Sequence, residues 1–253
     1  MKVEQIGNFL LEKFPLEKQA PWDNSGWNLL FDEQVNKILI TLDLTRDIIK
    51  KCIKMKVNLI IVHHPFYFFS SKKDEYLKAP YKKSVTSLAR KNKISILALH
   101  TNYDFSNQAT AYSIIKQLNL DTSNAEILDP ANLLIKLDLD FNSMVQIIKK
   151  AIKIKHLQSN VTKNYKLKKV AILPGSGGIE AVLNAKKHKA DLVITSDLKW
   201  SDQLAIDQHK IKVLQVSHLI EQCFIYNISD ILKENFAKIE IHTILQKEIL
   251  ENI

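Results

Sequence analysis

Leu59-Ile60-Ile61-Val62-His63-His64-Pro65 runs four apolar residues into two adjacent histidines and stops at a proline. A short run rich in β-branched residues, preceded by a helical pattern and closed by proline, reads as a buried strand of a parallel sheet. Upstream, Lys37-Ile38-Leu39-Ile40-Thr41-Leu42-Asp43 is a second buried strand ending in an acid, and Thr45 caps a helix predicted from Arg46 to about Lys56. Together they make a βαβ unit, and in open α/β sheets ligands are met where strands end at their carboxyl edge. The His63-His64 pair falls at that edge; without that context it is two ordinary loop histidines.

Outward from this unit the pattern continues. Val3, Ile6, Phe9, Leu10 and Phe14 are spaced as one helix face, and Ala20 to Trp27 is a turn-rich loop between two tryptophans that either covers something or packs as a structural turn. Beyond the histidines lie a polar, aromatic-bearing insertion from Tyr67 to Tyr81 and a helix from about Lys82 to Lys91. A strand at Ile94 to Leu99 then delivers His100-Thr101-Asn102-Tyr103-Asp104, and a helix follows from about Ala109 to Leu118. The segment Leu120 to Pro130 loosens into Asp, Ser, Asn and Pro and is taken as the junction between a first unit, 1–123, and a second, 124–253.

The second half predicts strands at Leu133 to Leu139, near Leu157, at Lys169 to Leu173 and late at Ile239 to Ile244, a helix from Ser143 to Ile152, and a short helix at the end. It repeats the first half. Ile38, Ile40, Ile60, Ile61 and Val62 fall without a gap on Val170, Ile172, Leu192, Val193 and Ile194, and Ile94 to Leu99 falls on Ile211 to Val216 once the Tyr67 to Tyr81 segment is left out. The fold class is therefore α/β, with two related α/β units. Three of the five glycines sit in Pro174-Gly175-Ser176-Gly177-Gly178, between a strand and a helix. Backbone N–H groups there make an anion cradle, so Gly175, Ser176 and Gly177 are candidate substrate-binding residues; close strand-to-helix packing needs the same glycines.

Composition bounds the class. Hydrophobic residues make up 46% and charged residues 25% of 253, and no apolar run approaches the roughly 20 residues that span a bilayer. Glu4 and Glu12 interrupt any signal-peptide reading of the first helix, so a cytoplasmic protein is expected. Cys52 and Cys223 lie in helical patterns among apolar neighbours, which suits reduced packing residues. The net charge of +9 comes from lysines scattered over nearly every helix, with few aromatics among them. Nucleic acid is the less favoured partner, because such sites cluster their charge.

The polar strand ends gather His63, His64, His100, Asp104, His218 and Glu221, with Asp43 and Asp197 as further acids. Imidazole and carboxylate without thiolate suit Zn, Mn, Fe, Co or Ni. Neighbouring residues of an extended strand point to opposite faces, so His63 and His64 serve two ions or are brought together by a bend at Pro65. Two-metal sites lower the pKa of bound water and clamp the oxygens of a hydrolytic transition state.

Trp22-Asp23-Asn24-Ser25-Gly26, Leu42-Asp43-Leu44-Thr45, His63-His64-Pro65-Phe66, His100-Thr101-Asn102-Tyr103-Asp104, Gly175-Ser176-Gly177, Asp191 to Asp197 and His218-Leu219-Ile220-Glu221 follow in the order of one family. The chain resembles, nearly end to end, the NIF-three-like proteins, also described as GTP cyclohydrolase I type 2 homologues, in a short form without the inserted middle domain. The resemblance implies two α/β units packed face to face with, in the cleft between them, a dinuclear site of two divalent ions held by His63, His64, Asp104, His218 and Glu221, a homo-oligomer in the form of a hexameric ring, and His100 close to the metals as the group for proton transfer or substrate contact. One departure stands out: many relatives carry a histidine where this chain reads Ser201 in Thr195-Ser196-Asp197-Leu198-Lys199-Trp200-Ser201. An activity that needs that histidine is put in question. The implied function is a metal-dependent hydrolase acting on a nucleotide-like or phosphorylated small molecule, in the cyclohydrolase version opening a purine at C8 with loss of formate. The alternative is a ring-forming, non-catalytic metal-binding regulator that contacts nucleic acid or a protein.

Overall fold

The computed structural model describes residues 1–69, 71–153 and 157–250. Its strands are β1 (Gly26–Leu29), β2 (Lys37–Thr41), β3 (Leu59–Val62), β4 (Ser95–Ala98), β5 (Ala125–Ile127), β6 (Leu133–Asp140), β7 (Gln158–Ser159), β8 (Lys166–Ile172), β9 (Leu192–Thr195), β10 (Val213–Gln215) and β11 (Glu240–Ile244). Its helices are α1 (Val3–Lys13), α2 (Arg46–Met55), α3 (Lys72–Lys78), α4 (Tyr81–Lys91), α5 (Thr101–Asp104), α6 (Ala109–Gln117), α7 (Phe141–Ile152), α8 (Gly178–Lys187), α9 (Trp200–Gln208) and α10 (Cys223–Asn235). No described helix is long and apolar enough to cross a membrane. Cys52 and Cys223 are buried thiols that are not joined in a disulfide.

The chain is a mixed α/β protein with two sheets, divided into two compact units: Met1–Ser106 with Phe224–Gln246, and Asn107–Cys223 with Lys247–Ile253. A division at 123 does not match this, for two reasons. Residues from Asn107 onward, including α6, pack into the second core through Ala111, Ile114 and Ile115. The chain also returns to the first unit, where β11 pairs with β2. The register Ile38↔Ile241 and Ile40↔Thr243 is reinforced by Lys37 Nζ–Glu240 Oε2 at 2.8 Å and by Thr41 Oγ1 donating to the Ile244 carbonyl at 3.0 Å.

In the first unit the strand order is β1-β4-β3-β2-β11, parallel except for β1 on β4. All four residues of β3 are fully buried, as a strand covered on both faces requires. Ile60 and Val62 pack with Ile48, Ile49 and Cys52 of α2 and Val85 and Ala89 of α4. Thr45 caps α2 by accepting the Ile48 N–H at 3.3 Å. The second sheet, β5-β6-β8-β9-β10-β7, is parallel only across β8, β9 and β10.

The repeat is present in element order but not gapless. Ile38 pairs with Leu59, whereas Val170 pairs with Leu192 rather than Asp191. The extra residue lies between α8 and β9, where 188–191 replaces the shorter 56–58. His63 and His64 therefore correspond to Ser196 and Asp197. The helix expected at the end of the chain is absent from 245–250, and residues 251–253 lie outside the described residues. Gln246 is occupied otherwise: its Oε1 accepts the Asp43 N–H at 3.1 Å.

Candidate metal centre

In the first unit β3 stops at Val62, one residue before the histidines. The N–H groups of His63 and His64 both donate to the Leu42 carbonyl, at 3.1 and 3.2 Å, and that shared acceptor ends the extended alternation. The two imidazoles, which a straight strand would send to opposite faces, stand instead with centroids 5.1 Å apart. His100 arrives from the end of β4, 5.2 Å from His63 and 5.5 Å from His64 between ring centroids. One ligand nitrogen from each of the three lies within 4.8 Å of the others. Asp104, in α5, brings Oδ1 to 3.8 Å from His63 Nε2.

Each ring is oriented from behind. His63 Nδ1 is 2.8 Å from the Leu99 carbonyl, an acceptor only, so Nδ1 carries the proton and the Nε2 lone pair faces the cluster. His64 Nδ1 is held at 2.8 Å by Asp43 Oδ1, and His100 Nδ1 at 2.8 Å by Asp23 Oδ1. A carboxylate or carbonyl behind Nδ1 is how proteins fix imidazoles that bind metal or move protons through Nε2. Asp23 is the most elaborated of these supports. Its buried side chain also accepts from Ser25 Oγ at 2.7 Å, from the Thr101 N–H at 3.0 Å and from Thr101 Oγ1. Burial works against its charge, but the bonds from His100, Thr101 and Ser25 outweigh it and hold Asp23 well below the usual carboxylate range.

In the second unit His218 follows β10 in a short 3-10 turn, His218–Gln222, which also carries the buried Glu221. His218 Nδ1 is bonded to Asp197 Oδ2, and Nε2 lies 2.9 Å from Glu221 Oε2. Burial opposes the imidazolium, yet Asp197 and Glu221 prevail and push the His218 pKa up to about 10. The glycine loop packs against this pair. Gly175 has φ +55°, and a Cβ there would stand 2.5 Å from Glu221 Oε1. Ser176 is exposed, and the Gly177 N–H donates to Thr195 Oγ1 at 3.3 Å. Ser201, the position where the resemblance implies a histidine, is exposed in the first turn of α9.

Asp43 and Asp197, read from sequence only as further acids, are the supports of His64 and His218. Asp23 escaped the inventory because the bond it makes spans from the Trp22–Trp27 loop to His100. Its signal was there: an acid in a rigid turn between tryptophans, next to two polar residues that bond its carboxylate or its loop.

The fold and these side chains define a class: a two-sheet α/β protein with nitrogen and oxygen donors gathered at strand ends, fit to bind a divalent metal. The profile of the Duf34/NIF3 (NGG1p interacting factor 3) family matches residues 1–249, and the chain belongs to that family. It is 32% identical over 249 residues to the GTP cyclohydrolase 1 type 2 homolog of Mycoplasmopsis pulmonis, covering 96% of this chain and 98% of the relative. It is 33% identical over 245 residues to that of Ureaplasma parvum, covering 94% and 92%. Among solved structures, the Bacillus cereus protein related to NIF3 superposes with a TM-score of 0.89 over 100% of this chain and 99% of that one, at 16% identity, and shares its fold.

Proposed function

We propose that this protein is a hydrolase dependent on two divalent metal ions, acting on a nucleotide-like or otherwise phosphorylated small molecule. The observation that carries the reading is the set of three imidazoles, His63, His64 and His100, with ligand atoms within 4.8 Å of one another and every Nδ1 tied to an acceptor. Such a donor set fits Zn, Mn, Fe, Co or Ni, and with each Nδ1 held by an acceptor the Nε2 atoms are the ones left to bind. In the proposal His63, His64, Asp104, His218 and Glu221 are the ligands. When bound, the ions lower the pKa of water and stabilise charge on the reacting oxygens.

The chain's own residues do the rest. His100 takes or returns a proton through Nε2 while Asp23 holds Nδ1–H and stabilises the imidazolium that forms. Asp43 keeps His64 in the ligating tautomer. The Gly175-Ser176-Gly177 turn, leading into α8, offers its dipole end to an anionic group of the substrate. The curated relatives named GTP cyclohydrolase 1 type 2 homologs support a nucleotide-like substrate, and assembly as a hexameric ring belongs to the same proposal.

Metal analysis of the purified protein, with turnover measured against a panel of nucleotides and phosphoesters, tests this. His63→Ala and Asp104→Ala remain folded and keep their oligomeric state by light scattering but lose metal and turnover. Wild-type protein that is inactive on the whole panel when loaded with each metal, or that loses its assembly on chelation, would favour a purely structural metal and refute the hydrolase.

A further inference from the structure

Two aromatic rings beside His100 have no part in the proposal so far. Trp22 is 63% exposed and Phe68 39%, although their neighbours Phe66 and Tyr67 are buried at 2% and 5%. Both stand at steep angles to one imidazole: Trp22 with its centroid 5.8 Å from that of His100 at 70°, Phe68 at 5.7 Å and 75°. They come from two loops far apart in sequence, the tryptophan-bounded turn and the start of the Tyr67 to Tyr81 insertion.

These loops are braced. Asn24 Nδ2 donates to the Tyr67 carbonyl at 2.6 Å, joining one loop to the other. Glu75, 1% exposed, turns Oε2 to the N–H groups of Phe68 and Phe69 at 2.6 and 2.8 Å, and Lys82 neutralises it through Oε1. Burying a carboxylate is costly unless it is paired and hydrogen-bonded, and Glu75 meets both conditions only while the Phe68 and Phe69 N–H groups stay where they are. What it fixes is an exposed phenyl ring next to the imidazole.

We propose that Trp22 and Phe68 are stacking platforms for a planar heteroaromatic ring, of the nucleobase or pyridine kind, whose polar edge is thereby presented to His100. This rests on the hydrolase reading, and it names the part of the substrate that gives selectivity. A flat ring covers exposed aromatic faces and still offers hydrogen-bonding atoms at its rim, which an acyl chain does not. Phe68, near the start of the Tyr67 to Tyr81 insertion, then supplies one wall of the substrate site.

The probes are guanosine 5′-monophosphate, nicotinamide mononucleotide and ribose 5-phosphate, titrated calorimetrically into the full-length metal-loaded protein. The base-bearing probes bind at least about ten-fold more tightly than ribose 5-phosphate, given the usual strength of base–aromatic stacking. Trp22→Ala and Phe68→Ala each weaken the base-bearing probes by roughly 5- to 150-fold and leave ribose 5-phosphate unchanged, while Trp22→Phe keeps most of the affinity. Equal affinity for all three probes, no binding of either base-bearing probe, or the same loss for ribose 5-phosphate in both alanine variants would overturn the proposal. Turnover of a non-aromatic phosphoester with no base selectivity would remove this subsite and leave the hydrolase standing. Base-selective binding without turnover of any substrate would do the reverse.

Discussion

Asp23→Asn is the most informative single change, because it preserves shape and removes one acceptor from a carboxylate whose two oxygens each receive a backbone N–H. Oδ1 receives His100 Nδ1–H at 2.8 Å and the Asn24 N–H at 2.7 Å; Oδ2 receives Ser25 Oγ, the Thr101 N–H and Thr101 Oγ1. Hydroxyls can rotate to accept, but the two backbone N–H groups cannot. Whichever way the amide turns, at least one backbone donor is left facing an NH2 group, at about 1–3 kcal/mol. The charge-assisted character of the other bonds is lost as well, so the total is about 2–5 kcal/mol. For a chain of this size that is a fall in melting temperature of roughly 5–15 °C. If the amide nitrogen takes the Oδ1 position, His100 is satisfied only by becoming an acceptor at Nδ1, and its proton moves to Nε2, the atom assigned to proton transfer in the proposed function. Thermal unfolding gives the first effect, and long-range nitrogen–proton NMR of the His100 ring gives the second. A melting temperature within about one degree of wild type, with the tautomer unchanged, would refute the account of Asp23 as the support of His100.

Three further outcomes follow from the same geometry. Gly175→Ala combines φ +55° with a Cβ 2.5 Å from Glu221 Oε1, so it displaces Glu221 and costs about 1–2 kcal/mol in backbone strain alone; metal content should fall with stability, and retention of both would show that the loop gives way. Glu75 has its pKa lowered: burial raises it, but Lys82 and the N–H groups of Phe69 and Phe68 prevail. Its stabilising contribution is therefore complete above the ordinary value near 4.5 and is lost as pH falls through the lower folded value, so melting temperature should drop more steeply over that window in wild type than in Glu75→Gln. A chain ending at Lys238 loses β11 and leaves β2, with Ile38, Leu39 and Ile40, as an open sheet edge; it should aggregate on size exclusion, and a monodisperse product with an unchanged melt would contradict the pairing.

What was legible in the sequence was what depends on runs of side chains. β2, β3 and β8 declare themselves because Ile, Leu and Val must be buried on both faces, and Thr45 announces α2 by its capping oxygen. What was hidden depends on partners. β1 contains Trp27 and Asn28, and β5 is three residues with Glu126 at its centre; both are edge strands made by pairing rather than by burial. β11 alternates visibly, but nothing in Glu240–Ile244 says that it returns to β2. The gap before β9 was invisible because in either alignment three apolar residues fall on Leu192, Val193 and Ile194.

The site shows the same division, and the register explains it. In the first unit Asp43 stands two residues beyond β2 and supports His64, two residues beyond β3; in the second, Asp197 stands two residues beyond β9 and supports His218, just beyond β10. Both pairs join neighbouring parallel strands, whose ends lie about 4.8 Å apart and so bring a carboxylate and an imidazole into contact without further design. Yet the pairs are not copies. By the strand ladders Asp197 is the counterpart of His64, so the second unit has an acid where the first has its histidine, and its own histidine has moved one strand along. The duplicated element is the geometry of the strand ends. The residues that fill it differ between the units, which is why comparing the two halves recovered the fold and could not, by itself, recover the candidate ligands.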